Sequence, residues 1–306
     1  MQANLNTMHE RDMQKISSKE KVVKILVKIG LYAFLSIMAI IIIFPFYWMI
    51  ISSLKSFQEY NLITPTFWPK SMAFSNYVRA FSSGDLGRLF FNTIYVGIVS
   101  TLLSLVITIL AAFAFARLEF KGRDAIFGAM LATMMIPGEL FTITNYGTMN
   151  GNFLMFHFDM LDFSNSYTAL IIPFLVSVFY IYLLRQNFKQ IPNELYLAAK
   201  VDGTSDFKYL WKVMIPLAAP SLVSITILKM MGSWNSYVWP RLINTDKNYQ
   251  LITNGIRSAN YVTEGGLTDF PVQMAAVTIV SIPLFIVFIF FRKYIMKGVS
   301  RSGIKG

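Results

Sequence analysis

Four uncharged apolar runs, residues 29–51, 93–115, 167–184 and 272–291, are each long enough to cross the hydrocarbon layer of a membrane. A helix rising 1.5 Å per residue needs about 20 such residues, within a range of about 17 to 25, to cover roughly 30 Å. No water reaches the middle of that layer, so backbone polar groups must bond within the chain, and a helix does this inside one segment. A fifth run, about 217–233, holds one internal charge, Lys229. A sixth begins at Ala125, meets Pro137, Gly138 and Glu139, and spans only if it continues through "LFTITNY". The reading is an all-α polytopic membrane protein with six transmembrane helices in residues 29–291. Composition agrees: of 306 residues, 55% are hydrophobic and 14% charged, and the mean hydropathy of +0.52 is too high for an ordinary soluble domain.

The formal charge of +11 tests that count. Six spans alternate the connecting segments between two sides. One side receives Arg11, Lys15, Lys19, Lys21, Lys24 and Lys28, then Arg117, Lys121 and Arg123. It also receives Arg185, Lys189, Lys200, Lys208 and Lys212, and finally Arg292, Lys293, Lys297, Arg301 and Lys305. The other side holds Lys55, Lys70, Arg79, Arg88, Arg241, Lys247 and Arg257. Excess Lys and Arg marks cytoplasmic segments, so both termini are expected in the cytoplasm, residues 1–28 as an N-terminal segment and 292–306 as a tail. A basic balance also suits nucleic acid, but these charges are spread along four membrane edges with no aromatic-interleaved patch or DNA-binding motif, and no nucleic-acid partner is expected. The first apolar run exceeds the h-region of about 7 to 15 residues in a signal peptide, and no small-residue cleavage site follows it. The preceding "ISSKEKVVKILVKIG" reads either as a short helix lying at the inner interface, in contact with membrane lipids, or as a solvated continuation of span one.

Catalytic chemistry finds no support. The chain has no cysteine, which excludes a disulfide framework, an iron–sulfur cluster and a thiolate zinc site. His9 and His157 lie far apart without ligand spacing and read as loop residues, so no metal is expected. No G-x-x-x-x-G-K-[ST], G-x-S-x-G or H-E-x-x-H occurs, and the spans hold neither a nucleophile with its base nor paired acids. Any energy the protein uses comes from elsewhere.

One charged interruption stands apart: "NELYLAAKVDGTSDFKYLWKVMIPLAAP", residues 193–220, between spans four and five. Pro192 suits a first helical turn and Asn193 can cap one, giving a short helix to Val201. Leu195, Ala198, Ala199 and Asp202 recur at i, i+3, i+4 and i+7, a narrow face of small side chains. Gly203 stands where a helix ends in the left-handed conformation, which costs glycine nothing sterically. Thr204 or Ser205 can cap a second helix with Phe207, Leu210, Trp211 and Met214 on one apolar stripe, and Pro216 and Pro220 lead into span five. Periodicity alone is equally satisfied by an amphipathic loop at the bilayer edge.

The residues themselves resemble the cytoplasmic loop of bacterial ABC importer permeases, E-A-A, three residues, G, nine residues, then I-x-L-P. Here Ala198, Ala199, Asp202 and Gly203 match the first half, and Val213, Ile215, Pro216 and Pro220 the second. Leu197 replaces the family's glutamate. Glu194 matches an acid common just upstream. "WPKSMAFSNYVRAF", "FARLEFKGRD", "GSWNSYVWP" and the terminal "GVSRSGIKG" resemble the carbohydrate branch, in particular the six-span permease of the maltose-transporter kind.

That resemblance implies a non-catalytic permease subunit that moves a sugar or oligosaccharide inward, in the bacterial plasma membrane. The loop 185–216 would carry a coupling helix against an ATPase dimer, which binds ATP and Mg. A second permease and an extracytoplasmic solute-binding protein would complete the complex, the latter docking on the long outside segments 52–92 and 234–271. The tail ending Gly303–Gly306 would lie near the ATPases. The implied coupling residues are Glu194, Leu197, Ala198, Ala199, Asp202, Gly203, Ile215 and Pro216. Polar residues within spans often face a cavity. Lys229 either does so or snorkels to the outer interface. Glu139 lines a path or sits at the outer surface, and Trp234 and Asn235 contact sugar or belong to an interfacial belt. Asn145 and Tyr146 are weaker candidates. Permeases for amino acids, peptides or phosphate esters share the loop. A self-contained transporter is disfavoured because no inverted repeat appears.

Overall fold

The computed structural model of the chain describes residues 2–153, 156–259 and 261–300. Its first helix, α1, runs unbroken from Gln2–Ser53, so the segment before span one continues that span's helix. A short α2 (Phe57–Tyr60) and α3 (Ser75–Ser83) lead to α4 (Leu86–Arg117), the central helix of the bundle. Then come α5 (Arg123–Thr133), α6 (Leu140–Met149) and two strands, β1 (Asn150–Phe153) and β2 (Phe156–Asp162). The strands pair antiparallel, Asn150 opposite Asp162, Asn152 opposite His157 and Phe153 opposite Phe156. Apart from this hairpin the described elements are helical, in keeping with the expected helical fold.

The second half contains α7 (Tyr167–Ile171), α8 (Val178–Gln190), α9 (Asn193–Val201), α10 (Asp206–Tyr209) and α11 (Ile215–Trp234). It finishes with α12 (Val238–Ile243), α13 (Ile252–Ser258) and α14 (Phe270–Ser300). Gly303–Gly306, like His9's side chain, falls outside what is described.

Among the described residues, four helical stretches are long and apolar enough to cross a membrane: Val23–Ser53, Leu86–Arg117, Asp206–Trp234 and Phe270–Lys293. A fifth crossing is available to Tyr167–Phe174 with Val178–Gln190, a pair bent by 47°. Two of the six expected spans are interrupted, both near a proline. Span four breaks after Pro173, whose ring sits in the 3-10 turn Ile172–Phe174, and α8 restarts where Ser177 Oγ accepts from Tyr180 N–H. The third expected span divides into α5 and α6, each roughly 15 Å long and too short to cross alone. Between them the backbone tightens into three-residue turns, Ile136 N–H to Thr133 C=O at 3.2 Å and Leu140 N–H to Pro137 C=O at 3.1 Å.

Span five also differs from expectation, in the opposite direction. The second helix of the loop is not separate: α10, a π-helical turn at Leu210–Met214 and α11 form one rod from Asp206 to Trp234. Proline has no N–H and its ring crowds the carbonyl four residues back, here Lys212. The widened turn lying immediately before Pro216 accommodates both.

Helix α4 packs against α8, α11 and α13, and α14 packs against α1, α3 and α11. One core gathers Ala80, Leu86, Leu89, Trp234, Ile252 and Val272 at one end of the bundle. Another gathers Phe113, Leu184, Phe188, Tyr209, Leu210 and Met214 at the other end. The segments 117–124 and 185–216 thus share one end, and 53–92 shares the opposite end with 235–270.

Candidate functional site

Helix α9 stands at the end of the bundle that holds Arg117 and Arg185. Pro192, not Asn193, occupies its cap position, and Asn193 begins the helix. Glu194 lies exposed in the first turn, where a carboxylate suits the helix dipole. The small-residue face does not stay together. Tyr196 and Ala199 turn inward onto the Phe188–Tyr209 core, while Leu195, Ala198 and Asp202 point outward. Leu197, in the motif glutamate's place, is 55% exposed and Val201 is 88% exposed, so α9 presents an apolar outer edge.

The helix ends in a left-handed turn. Gly203 has φ +70°, its N–H bonds Lys200 C=O at 3.0 Å, and Thr204 N–H bonds Ala199 C=O at 2.8 Å, the two bonds of a Schellman motif. Ser205 then caps α10. Two side-chain bonds brace the turn: Tyr196 Oη donates to Asp206 Oδ1 at 2.7 Å, and Lys200 Nζ pairs with the same oxygen at 2.6 Å. That bond to Asp206 raises the Lys200 ammonium above its ordinary value, and burial pushes the Tyr196 phenol up. The expected apolar stripe of α10 splits. Leu210 and Met214 are buried, whereas Phe207 and Trp211 are 63% and 51% exposed and face each other at 6.0 Å. Ile215 packs at the core's edge and Pro216 is exposed.

Two buried arginines lock this end together. Arg117, in the last turn of α4, donates to Phe188 C=O at 2.9 Å, in the last turn of α8, and to Ile191 C=O at 2.6 Å, just after it. Arg185, in α8, donates to Phe115 C=O at 3.0 Å, stacks on Phe127 at 3.9 Å and reaches Asp124 at 3.5 Å. Each helix end thus has its orphan carbonyls satisfied by the other's cation. In the sequence both arginines read only as membrane-edge charges. Their signal was their position directly at the ends of apolar runs, Arg117 in the last turn of α4 and Arg185 right after the run 167–184.

A second feature lies at the break in span four. A cavity of about 390 Å³ is lined by Phe174, Ser177 and Tyr180 on the broken span, Lys229 and Ser233 on α11, and Trp239 on α12, among others. Lys229 donates to Phe174 C=O at 2.5 Å and lies 6.0 Å from the Tyr180 ring centre, so it faces the cavity. Of the other sequence candidates, none lines it. Trp234 is 6% exposed in the core, its ring 5.8 Å from Phe90. Asn235 bonds back to Met231 C=O at 2.9 Å. Glu139 and Tyr146 are exposed and Asn145 is partly buried, around α6. Among the described residues no group of three or more His, Asp or Glu comes together as a metal site would need.

Residues 104–301 match the family described as binding-protein-dependent transport system inner membrane component. The chain is 31% identical over 271 residues to the arabinooligosaccharides transport system permease protein AraQ of Halalkalibacterium halodurans, covering 88% of this chain and 93% of that protein. It is 33% identical over 274 residues to the trehalose/maltose transport system permease protein MalG of Thermococcus litoralis, covering 88% and 94%. Its fold matches a chain in the crystal structure of a bacterial ABC transporter involved in the import of the acidic polysaccharide alginate, with a TM-score of 0.77, 23% identity and coverage of 88% and 96%. With its apolar helices, its braced α9 and these matches over most of its length, the chain belongs to the binding-protein-dependent transport system inner membrane component family, as a transport subunit of the ABC permease type.

Proposed function

We propose that this chain is the permease subunit of a binding-protein-dependent ABC importer that carries a carbohydrate inward. Relatives that transport arabinooligosaccharides and trehalose or maltose, each matched over more than four-fifths of the chain, carry the substrate class. In this reading both termini and α9 are cytoplasmic, the α5–α6 pair completes a sixth crossing in the assembled complex, and a second permease, an ATPase dimer and an extracytoplasmic binding protein join it. ATP and Mg belong to the ATPases.

Helix α9 is the coupling helix. Its outward Leu195, Leu197 and Val201 supply an apolar contact that needs no carboxylate at position 197, which is how the loop works without the motif glutamate. Motion passes two ways. The Gly203 turn, braced by Tyr196 and Lys200 on Asp206, joins α9 to the rod that carries Lys229, roughly 35 Å along the helix axis. Arg117 holds Ile191, just before α9, to α4. A rigid-body displacement of α9 therefore moves α4 and α11 together and alters the cavity between them.

The test is reconstitution of the complex with its partners, reading ATPase activity and uptake over a panel of sugars, amino acids and peptides in the presence of binding protein. Sugar-stimulated, ATP-dependent uptake is expected. Stimulation by amino acids or peptides alone overturns the substrate class, and uptake by this chain without ATPases overturns the mechanism.

A further inference from the structure

The cavity at the break in span four holds one charge and nothing that neutralises it. Lys229 is its single charged lining residue, no Asp or Glu lines it, and among the described residues no carboxylate pairs with the amine. Its partner, Phe174 C=O, uses one of three ammonium donors and leaves the charge uncompensated. A lysine within a span costs several kcal/mol to insert when it faces lipid, so one that persists there faces a polar cavity or a ligand.

The rest of the lining is suited to a sugar. Tyr180, Ser233 and Ser236 are among the lining residues, and their hydroxyls make no hydrogen bond among the described residues. Phe174, Tyr180 and Trp239 add ring surface, while the Trp239 N–H is already committed to Ala169 C=O at 2.9 Å. The N-terminal turn of α8, beginning beside Ser177, adds a positive end of a helix dipole to the same wall. The volume lies within the range of about 300 to 1,000 Å³ usual for small-molecule sites. Bare pinning of the break by Lys229 would explain the carbonyl bond. It would not explain a cation, because a serine or asparagine satisfies a carbonyl without burying charge.

We propose that this cavity binds the anionic group of an acidic carbohydrate, a carboxylate or phosphate ester, with Lys229 as its counter-ion and the three hydroxyls on the sugar. The inference rests on the carbohydrate reading above and narrows it from sugars in general to charged ones.

The chain has no cysteine, so a single one can report from the cavity. Gly232→Cys, at a lining position where a Cβ meets nothing within 4 Å, is placed in the assembled complex, with cysteine-free partner subunits, in Lys229, Lys229→Arg and Lys229→Met backgrounds. Its modification rate is measured with anionic 2-sulfonatoethyl and cationic 2-trimethylammonioethyl methanethiosulfonates. The anionic-to-cationic rate ratio should be similar for Lys and Arg and fall about tenfold in Lys229→Met, as expected for one unit charge at a few ångströms in a water-filled site. An unchanged ratio means a partner subunit neutralises Lys229 and overturns the proposal. Galacturonate, glucose 6-phosphate and galactose are then added as protectants, the first two separating carboxylate from phosphate ester. Protection by either acidic sugar at concentrations where galactose gives none, lost in Lys229→Met, is the expected result. Equal protection by galactose, or none by either acid, overturns it. Failure of the carbohydrate reading itself registers separately, as ATPase stimulation by amino acids or peptides and no sugar.

Discussion

Replacing Gly203 tests whether the α9 turn transmits motion through its backbone geometry. At φ +70° an L-residue pays roughly 1–2 kcal/mol, asparagine less than alanine, and a β-branched residue most. Space does not enter, because a Cβ at this position meets nothing within 4 Å. The alternative to paying the strain is to leave the left-handed region, which gives up the bonds of Gly203 N–H to Lys200 and Thr204 N–H to Ala199, each worth about 0.5–1.5 kcal/mol net. Either route puts about 1 kcal/mol on Gly203→Ala and about 2 kcal/mol or more on Gly203→Val, enough to depopulate the braced turn severalfold to more than tenfold. Coupled transport per ATP hydrolysed, measured in reconstituted complexes of equal assembly, should fall in the order Gly, Asn, Ala, Val. Wild-type coupling in Gly203→Val would refute the argument. So would Ala outperforming Asn, because that order follows side-chain size and points to close approach of a partner surface in place of backbone conformation.

Arg117→Met removes two charge-assisted bonds to buried carbonyls and should destabilise the complex by about 3 kcal/mol, seen as a drop of several degrees in its thermal midpoint, with Arg117→Lys intermediate. Gly255→Ala would drive a methyl into the Leu89 side chain, packed on the opposing helix, and should cost about 1–3 kcal/mol by the same measurement. Gly203→Ala, where the same methyl meets open space, gives the contrast for crowding. The Lys200 brace sets a pH response: its bond to Asp206 raises the folded pKa above the ordinary 10.5, so the brace is fully present below that value and lost as pH rises through the folded one. A nitroxide on Val201→Cys should therefore keep constant mobility through neutral pH and gain mobility only above about pH 10.5, and Asp206→Asn should show the mobile spectrum throughout.

Much of the architecture was legible because hydrophobic length is a local property. Runs 29–51, 93–115 and 272–291 became helices at or beyond their expected bounds, since an apolar segment of that length has no other way to satisfy its backbone. The α9 helix, its end at Val201 and the positive φ of Gly203 were legible for the same kind of reason: propensity, capping and glycine chemistry act over four or five residues. Proline was misjudged in both directions. Pro173 broke the run 167–184, expected as one span, and Pro137 lies in the break that the sequence itself marks, whereas Pro216 and Pro220 were absorbed into a rod expected as a short helix followed by a span. The outcome at each depends on whether neighbouring turns can widen or tighten to meet the lost hydrogen bond, and a proline's own letter does not carry that.

The sequence by itself determined that the chain carries membrane-spanning helices, where three of the long ones run, and that a glycine-ended helix lies between spans four and five. Only tertiary structure decided which side chains act together. Trp234, a sugar-stacking candidate by type, is core because α4 and α14 close over it. Lys229 faces a cavity, and not lipid, because span four bends 47° beside it. Arg117 and Arg185, indistinguishable from other edge charges in the sequence, became a reciprocal clamp because helices whose ends lie about 70 residues apart finish at the same place. Periodicity fixes which way a side chain leaves its own helix; what it meets there depends on how the helices cross.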